Sequence, residues 1–245
     1  CALILPANFS TAALLFATCM LVMFIGRVPV KHMALISLIA AGGFGVLLLL
    51  AKTSPGLLPR LDTWVARIEN FTSDEVDSDA NYQVEHAKIA IASGGLLPNG
   101  PGTGTSRNYL PHPYSDMIYA FIVEEYGSIL GGLGMLLLYL ILMFRAIRIA
   151  NKCEKPFGAL VSMGLGLSLV VQALVNMAVA VNLVPVTGQP LPLVSMGGTS
   201  IWFTCLAIGI ILSVSRSIYD TQAPPKPEKR PRTTPLEDGP EPALA

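Results

Sequence analysis

Charge is what this sequence has least of. Charged residues make up 13% of its 245 positions, about half the usual soluble share of roughly 25%. None occurs in residues 1–26 or in residues 156–215. Hydrophobic residues reach 52% and mean hydropathy is +0.58. A buried helix of a soluble core rarely needs more than about 14 apolar residues, whereas a bilayer span needs roughly 20. The composition therefore excludes an ordinary soluble domain and predicts an all-α polytopic membrane protein. The 16 basic and 16 acidic residues cancel, so no basic excess points to nucleic acid. The four cysteines show no CxxC or Cys/His metal spacing, which argues against a disulfide framework and leaves them as small buried hydrophobes. P-loop, GxSxG and HExxH signatures are all missing. His32, His86 and His112 are far apart in sequence, so no metal site is assigned. The chain opens without Met inside a hydrophobic run, which reads as a fragment beginning partway through a longer protein.

Apolar windows predict about five transmembrane helices, at 1–26, 33–51, 117–144, 157–182 and 198–215. Orientation follows from Lys and Arg in the short loops. Arg27 and Lys31 mark the first turn, Arg145, Arg148, Lys152 and Lys155 the 145–155 loop, and Arg216 with Lys226 and Lys229 the tail. All three fall on one side, which is then cytoplasmic. The opposite face receives the large 52–116 loop and the short 183–197 loop. Residues 1–220 read as the membrane-embedded region. The Pro-rich, charged stretch 221–245 reads as a disordered cytoplasmic tail.

A connection as long as 52–116 is usually functional or disordered. Residues 60–71 place Leu61, Trp64, Ile68 and Phe71 on one face, as an interfacial amphipathic helix would, and residues 72–80 form an acidic, mobile insert. Residues 82–97 begin amphipathic and end apolar. Gly94 to Gly104 then predict a flexible stretch like a re-entrant loop lining a cavity.

Carboxylates in this setting carry the chemistry. Asp116 stands where an apolar helix begins, so it reads either as an N-cap or as a functional carboxylate at the membrane–water boundary. Tyr114 and Ser115 precede it. Glu124 and Glu125 follow inside the apolar run, where carboxylates are costly and functional by default. Glu124 is about two turns beyond Asp116, on roughly the same face. Arg67, Lys88 and Arg107, with Arg60, could hold a pyrophosphate through charge-assisted bonds, or simply touch lipid head groups. Gln172 and Asn176 share a helix face and read chiefly as bonds across the bundle. In 185–200, Pro190 and Pro192 forbid regular helix and Gly197 and Gly198 permit close backbone approach. Ser195 belongs to the same irregular segment, and Thr199 and Ser200 could cap the last helix.

Ordered motifs across residues 6–216 resemble the SEDS family, typified by FtsW, RodA and SpoVE. PANFSTA (6–12) is similar to its PDxGTA segment, with Asn8 for Asp. Tyr82–Gln83 followed by SGGLLPNGPGTGTSRNYLPHPYSD (93–116) resembles its YQ…GSGGLxGxGLGxS…YLPExHTD stretch. EEYG (124–127) resembles EELG, and VPVTGQPLPLVSMGGTS (184–200) resembles LPTxGxxLPLxSYGGSS. The division-type FtsW branch is the most similar. The resemblance implies a peptidoglycan glycosyltransferase of the bacterial cytoplasmic membrane, acting at the division septum. Such an enzyme polymerises lipid II into a nascent glycan strand beside a class B penicillin-binding protein and other divisome membrane proteins. It also implies that Asp116 is the general base, that basic loop residues receive the pyrophosphate, and that a divalent cation (Mg or Mn) could share that task. His112, Tyr114 and Met196 depart from the family pattern around the Asp. The competing readings are a lipid II flippase centred on Glu124 or Glu125, and a divisome scaffold centred on the tail. The family has about ten spans, so this chain alone is expected to be inactive in lipid II polymerisation.

Overall fold

The computed structural model describes residues 1, 3–5, 8–53, 79–109 and 114–222. Seven α-helices occur among them: α1 (Phe9–Ile25), α2 (Val30–Thr53), α3 (Asp79–Gly94), α4 (Ile118–Tyr126), α5 (Gly134–Lys152), α6 (Pro156–Ala180) and α7 (Gly198–Gln222). A 3₁₀ turn covers Ser106–Asn108 and a π-helical segment, Gly127–Leu133, leads into α5. The described residues contain no strand. The predicted amphipathic helix at 60–71, with Arg60 and Arg67, lies outside the described residues, as do the acidic stretch 72–78, residues 110–113 and the tail beyond 222.

Among the described residues, four stretches are by length and composition long and apolar enough to cross a membrane: Val30–Leu47, Ile118–Lys152, Pro156–Ala180 and Gly198–Ile218. The first expected span is a shorter helix of 17 residues. It starts at residue 9 because Asn8 caps it, its side-chain oxygen accepting from Thr11 N–H at 3.2 Å, a position that favours Asn strongly. Pro156 opens α6, where its missing N–H costs nothing. The four cysteines are free, and Cys1, Cys19 and Cys205 are exposed rather than buried.

The apolar run expected as one span at 117–144 is instead folded in two. Gly127 has φ +74 and breaks the helix, a backbone state that a Cβ disfavours. Beyond it the chain turns back on α4. A Cβ on Gly131 would lie 2.6 Å from Ile122 O, and Tyr119 OH donates to Gly132 O at 3.2 Å. Thus α4 is a half-helix antiparallel to the start of the α5 span, with its tip at Tyr126–Gly127. On the positive-inside expectation, which puts the basic end of α5 in the cytoplasm, the tip is the outward end. Nine residues at 1.5 Å each set the other end of α4 roughly 14 Å from the tip.

The core surrounds this half-helix. Ala87 and Ala90 of α3, Ala120 and Val123 of α4, Tyr139 of α5, Ala173 and Met177 of α6, and Leu191 of the last outer loop form one buried cluster. Small residues set its spacing, as where helices must pack without help from water. Residues 95–105, expected to be slack, are pinned to the hairpin tip. Asn99 and Gly100 N–H both donate to Glu125 O at 3.0 Å, and Asn99 Nδ2 donates to Glu124 O at 3.2 Å. The expected 145–155 loop shrinks to residues 153–155, because α5 continues through Lys152 and carries Arg145 and Arg148 on its surface.

Candidate functional site

Asp116 sits one residue before the N-cap of α4, which is Met117, and no side chain caps that helix. The cap reading therefore fails, and the predicted shared face with Glu124 does not apply to a residue outside the helix. The backbone around Asp116 is fixed by three consecutive carbonyls. Tyr114 O accepts from Met196 N–H at 2.9 Å, Ser115 O from Ser195 Oγ at 2.7 Å, and Asp116 O from Asn176 Nδ2 at 2.7 Å. The carboxylate itself is half-buried. Its Oδ1 accepts a short hydrogen bond from Ser115 Oγ. Its Oδ2 accepts none from the described residues and faces Gly188, whose position would place a Cβ 3.5 Å away.

The opposing wall is the 183–197 loop, irregular as its prolines dictate. Four donors hold its carbonyls and side chains: Gln172 Nε2 to Pro190 O at 3.0 Å, Asn176 Nδ2 to Gln189 O at 2.7 Å, Tyr139 OH to Pro192 O, and Gln189 Nε2 to Thr11 Oγ1 at 2.6 Å. Leu191 N–H donates to Ser195 Oγ at 2.7 Å, so Ser195 links this wall to Ser115. Gly188 and Leu193 hold φ of +66 and +68. For leucine that conformation costs about 1–2 kcal/mol, and it persists because both flanks of Leu193 are tied down. Gln172 and Asn176 bond across the bundle as expected, and the segment they position is the one facing Asp116.

The two glutamates occupy a different place. Glu124 is 4% exposed, and its Oε1 accepts from Thr105 N–H (3.1 Å), Ser106 N–H (3.2 Å) and Ser106 Oγ (2.9 Å). Glu125 lies 3.6 Å from Arg107, with side chains 18% and 38% exposed respectively. Both stand near the outward tip of the hairpin. Lys88 is exposed on α3, and neither it nor Arg107 contacts the Asp116 carboxylate. Gly198 has open space around its Cβ position rather than a close neighbour. The helix α7 starts at Gly198, so Thr199 and Ser200 lie inside its first turn rather than at the cap, while Gly197 O accepts from Ile201 N–H. Ser200 lines, with Gln172 and Thr204, a cavity of about 330 Å³ between α6 and α7.

Thr11, Tyr139, Gly188 and Gln189 complete the site without having been singled out in sequence. Gln189 follows the turn-prone Thr187–Gly188 pair, a usable local signal. Tyr139 is an aromatic in an apolar helix, and nothing local marks it. No group of three or more His, Cys, Asp or Glu side chains among the described residues could hold a metal. A half-buried carboxylate with one oxygen open, on a backbone held from three sides, can accept a proton from a hydroxyl presented beside Gly188.

Comparison with known proteins places these features. Residues 1–220 match the family model of FtsW, RodA and SpoVE, described as cell cycle protein. The chain is 34% identical over 212 residues to stage V sporulation protein E of Bacillus subtilis, covering 85% of this chain and 55% of that protein. It is 37% identical over 212 residues to a probable peptidoglycan glycosyltransferase FtsW of Aromatoleum aromaticum, covering 84% and 49%. A solved structure described as structural coordination of polymerization and crosslinking by a peptidoglycan synthase complex superimposes with TM-score 0.60 at 26% identity, covering 89% of this chain and 58% of that one. The chain spans about half the length of the curated relatives it matches.

Proposed function

From the premise that the chain belongs to the FtsW/RodA/SpoVE family, we propose that the full-length protein is a peptidoglycan glycosyltransferase with Asp116 as its general base. The observation that carries this reading is a half-buried carboxylate whose Oδ2 has no partner among the described residues and whose backbone is held by Asn176, Ser195 and Met196. In the proposed reaction the acceptor GlcNAc 4-hydroxyl of lipid II, or of the growing strand, lies against Oδ2. Its proton passes to Asp116 as the oxygen attacks the donor MurNAc anomeric carbon. The bond from that carbon to the pyrophosphate breaks, and undecaprenyl pyrophosphate leaves with the electron pair. The Ser115 hydroxyl orients the carboxylate through Oδ1. A base so placed contributes roughly 10²–10⁴-fold.

Arg67, Lys88 and Arg107 are proposed to receive the leaving pyrophosphate. For Arg107 this means giving up Glu125 in exchange for phosphate. No step is routed through a metal ion. A class B penicillin-binding protein is the proposed partner, supported by the likeness to a peptidoglycan synthase complex, and the septal cytoplasmic membrane is the proposed location. The glutamates needed by a flippase are engaged with the 105–107 turn, which favours chemistry over transport. The test is lipid II polymerisation by the full-length protein with its class B partner. Wild type yields polymer and Asp116→Asn yields none while the complex stays intact; polymer from the variant would remove Asp116 as base.

A further inference from the structure

The cytoplasmic half of the bundle contains a second feature that the outer site does not use. Between α5 and α7 lies a crevice of about 510 Å³, within the roughly 300–1,000 Å³ range of small-molecule sites. Its walls are two apolar helix stripes, with Leu142 on one and Ile208 and Ile211 on the other, all within membrane-spanning stretches. Its mouth is lined by Arg145, Arg148 and Lys152, spaced so that all three fall on one face of α5. No acidic residue lines it, and none of the three cations forms an ion pair with a described residue. The floor is closed where α5 and α6 touch, since a Cβ on Gly166 would lie 2.4 Å from Ala146 Cβ.

The positive-inside rule explains why cations lie on this side of the membrane. It does not explain why three of them converge on one apolar crevice. An occupant needs an anionic head at the level of Lys152 and hydrocarbon extending toward Leu142. We propose that this crevice binds one anionic phospholipid of the cytoplasmic leaflet, its phosphate held by Arg145, Arg148 and Lys152 and its acyl chains against Leu142, Ile208 and Ile211. An acidic peptide fits less well, because its backbone N–H and C=O groups would lose water against apolar walls without partners.

The test uses the full-length protein in a neutral detergent, titrated with phosphatidylglycerol or phosphatidylcholine while thermal unfolding is followed. Phosphatidylglycerol should raise Tm saturably and phosphatidylcholine should not. Each cation near the surface is worth about fivefold in affinity, so Arg145→Gln/Arg148→Gln/Lys152→Gln should need on the order of 100-fold more lipid. Leu212→Trp, at an exposed position lining the crevice, keeps every charge and should also lose the response. Arg27→Gln/Lys31→Gln/Lys155→Gln removes equal charge from the same membrane side and should respond like wild type. Equal losses in the two triple variants, or a wild-type response from Leu212→Trp, would reduce the effect to unspecific surface charge and overturn the proposal. So would the lack of any shift with phosphatidylglycerol, or a shift seen only after removing residues 223–245, which would assign the crevice to the tail.

Discussion

Two carboxylate sites at the two ends of α4 use the same chemical group in different settings. At the outward end, Glu124 spends its Oε1 on two backbone N–H groups and a hydroxyl of the 105–106 turn. At the other end, Asp116 lends its backbone carbonyl to Asn176, and its Oδ2 has no partner among the described residues. Each keeps one oxygen without a partner among the described residues, Asp116 Oδ2 and the buried Glu124 Oε2, so access separates them: Asp116 is half-buried beside Gly188, whereas Glu124 is 4% exposed and closed off by the turn it holds. The half-helix separates the two, with Asp116 just before its first residue and the glutamates at its tip.

The largest expected effect that would break this contrast is catalytic. Asp116→Asn should cost about 10²–10⁴-fold in polymerisation rate and leave Tm unchanged, because the carbonyl bond to Asn176 remains. Asn176→Leu comes next, removing the donor to both Asp116 O and Gln189 O. A displaced base should cost up to about 10²-fold in rate, together with a lowered Tm. Glu124→Ala should act on stability instead. It strands the Thr105 and Ser106 N–H groups at about 1–3 kcal/mol each, which thermal unfolding in detergent would register. Gly188→Ala forces a left-handed alanine, at about 1–2 kcal/mol, and places its methyl beside Oδ2; a raised KM for lipid II would show the narrowing. Arg107→Gln is the smallest, since a partly exposed pair contributes no more than about 1 kcal/mol to stability. A rate loss exceeding its stability loss would support the pyrophosphate role.

The helices were legible because apolar run length and charge placement are local properties, and α2, α6 and α7 fall close to the windows that predicted them. The break inside 117–144 was not. Hydropathy is continuous across Gly127, and only the left-handed turn at that glycine, with Gly131 letting α4 pack back, converts one span into a half-helix and a span. That single turn sets the glutamates at the tip of a hairpin rather than along a continuous span. Asp116 was legible as a candidate through the motif around it, and Gln172 and Asn176 were legible as bonds across the bundle. Their partners were not, because Ser195 to Ser115 and Gln189 to Thr11 join positions 80 and 178 residues apart. Arg145 and Arg148 were read as loop residues because charge density alone marks a loop, while the helix persists through them by packing on α6.

The central claim is that the accessible Asp116 carboxylate is catalytic and the buried Glu124 carboxylate, bonded to the 105–106 turn, is structural. The most direct measurement compares Asp116→Asn and Glu124→Gln in the full-length protein with its class B partner, reading lipid II polymer and Tm on the same preparations. The account predicts no polymer and a wild-type Tm for Asp116→Asn, and retained polymer with a lowered Tm for Glu124→Gln. Polymer from Asp116→Asn, or its loss from a fully stable Glu124→Gln, would contradict it.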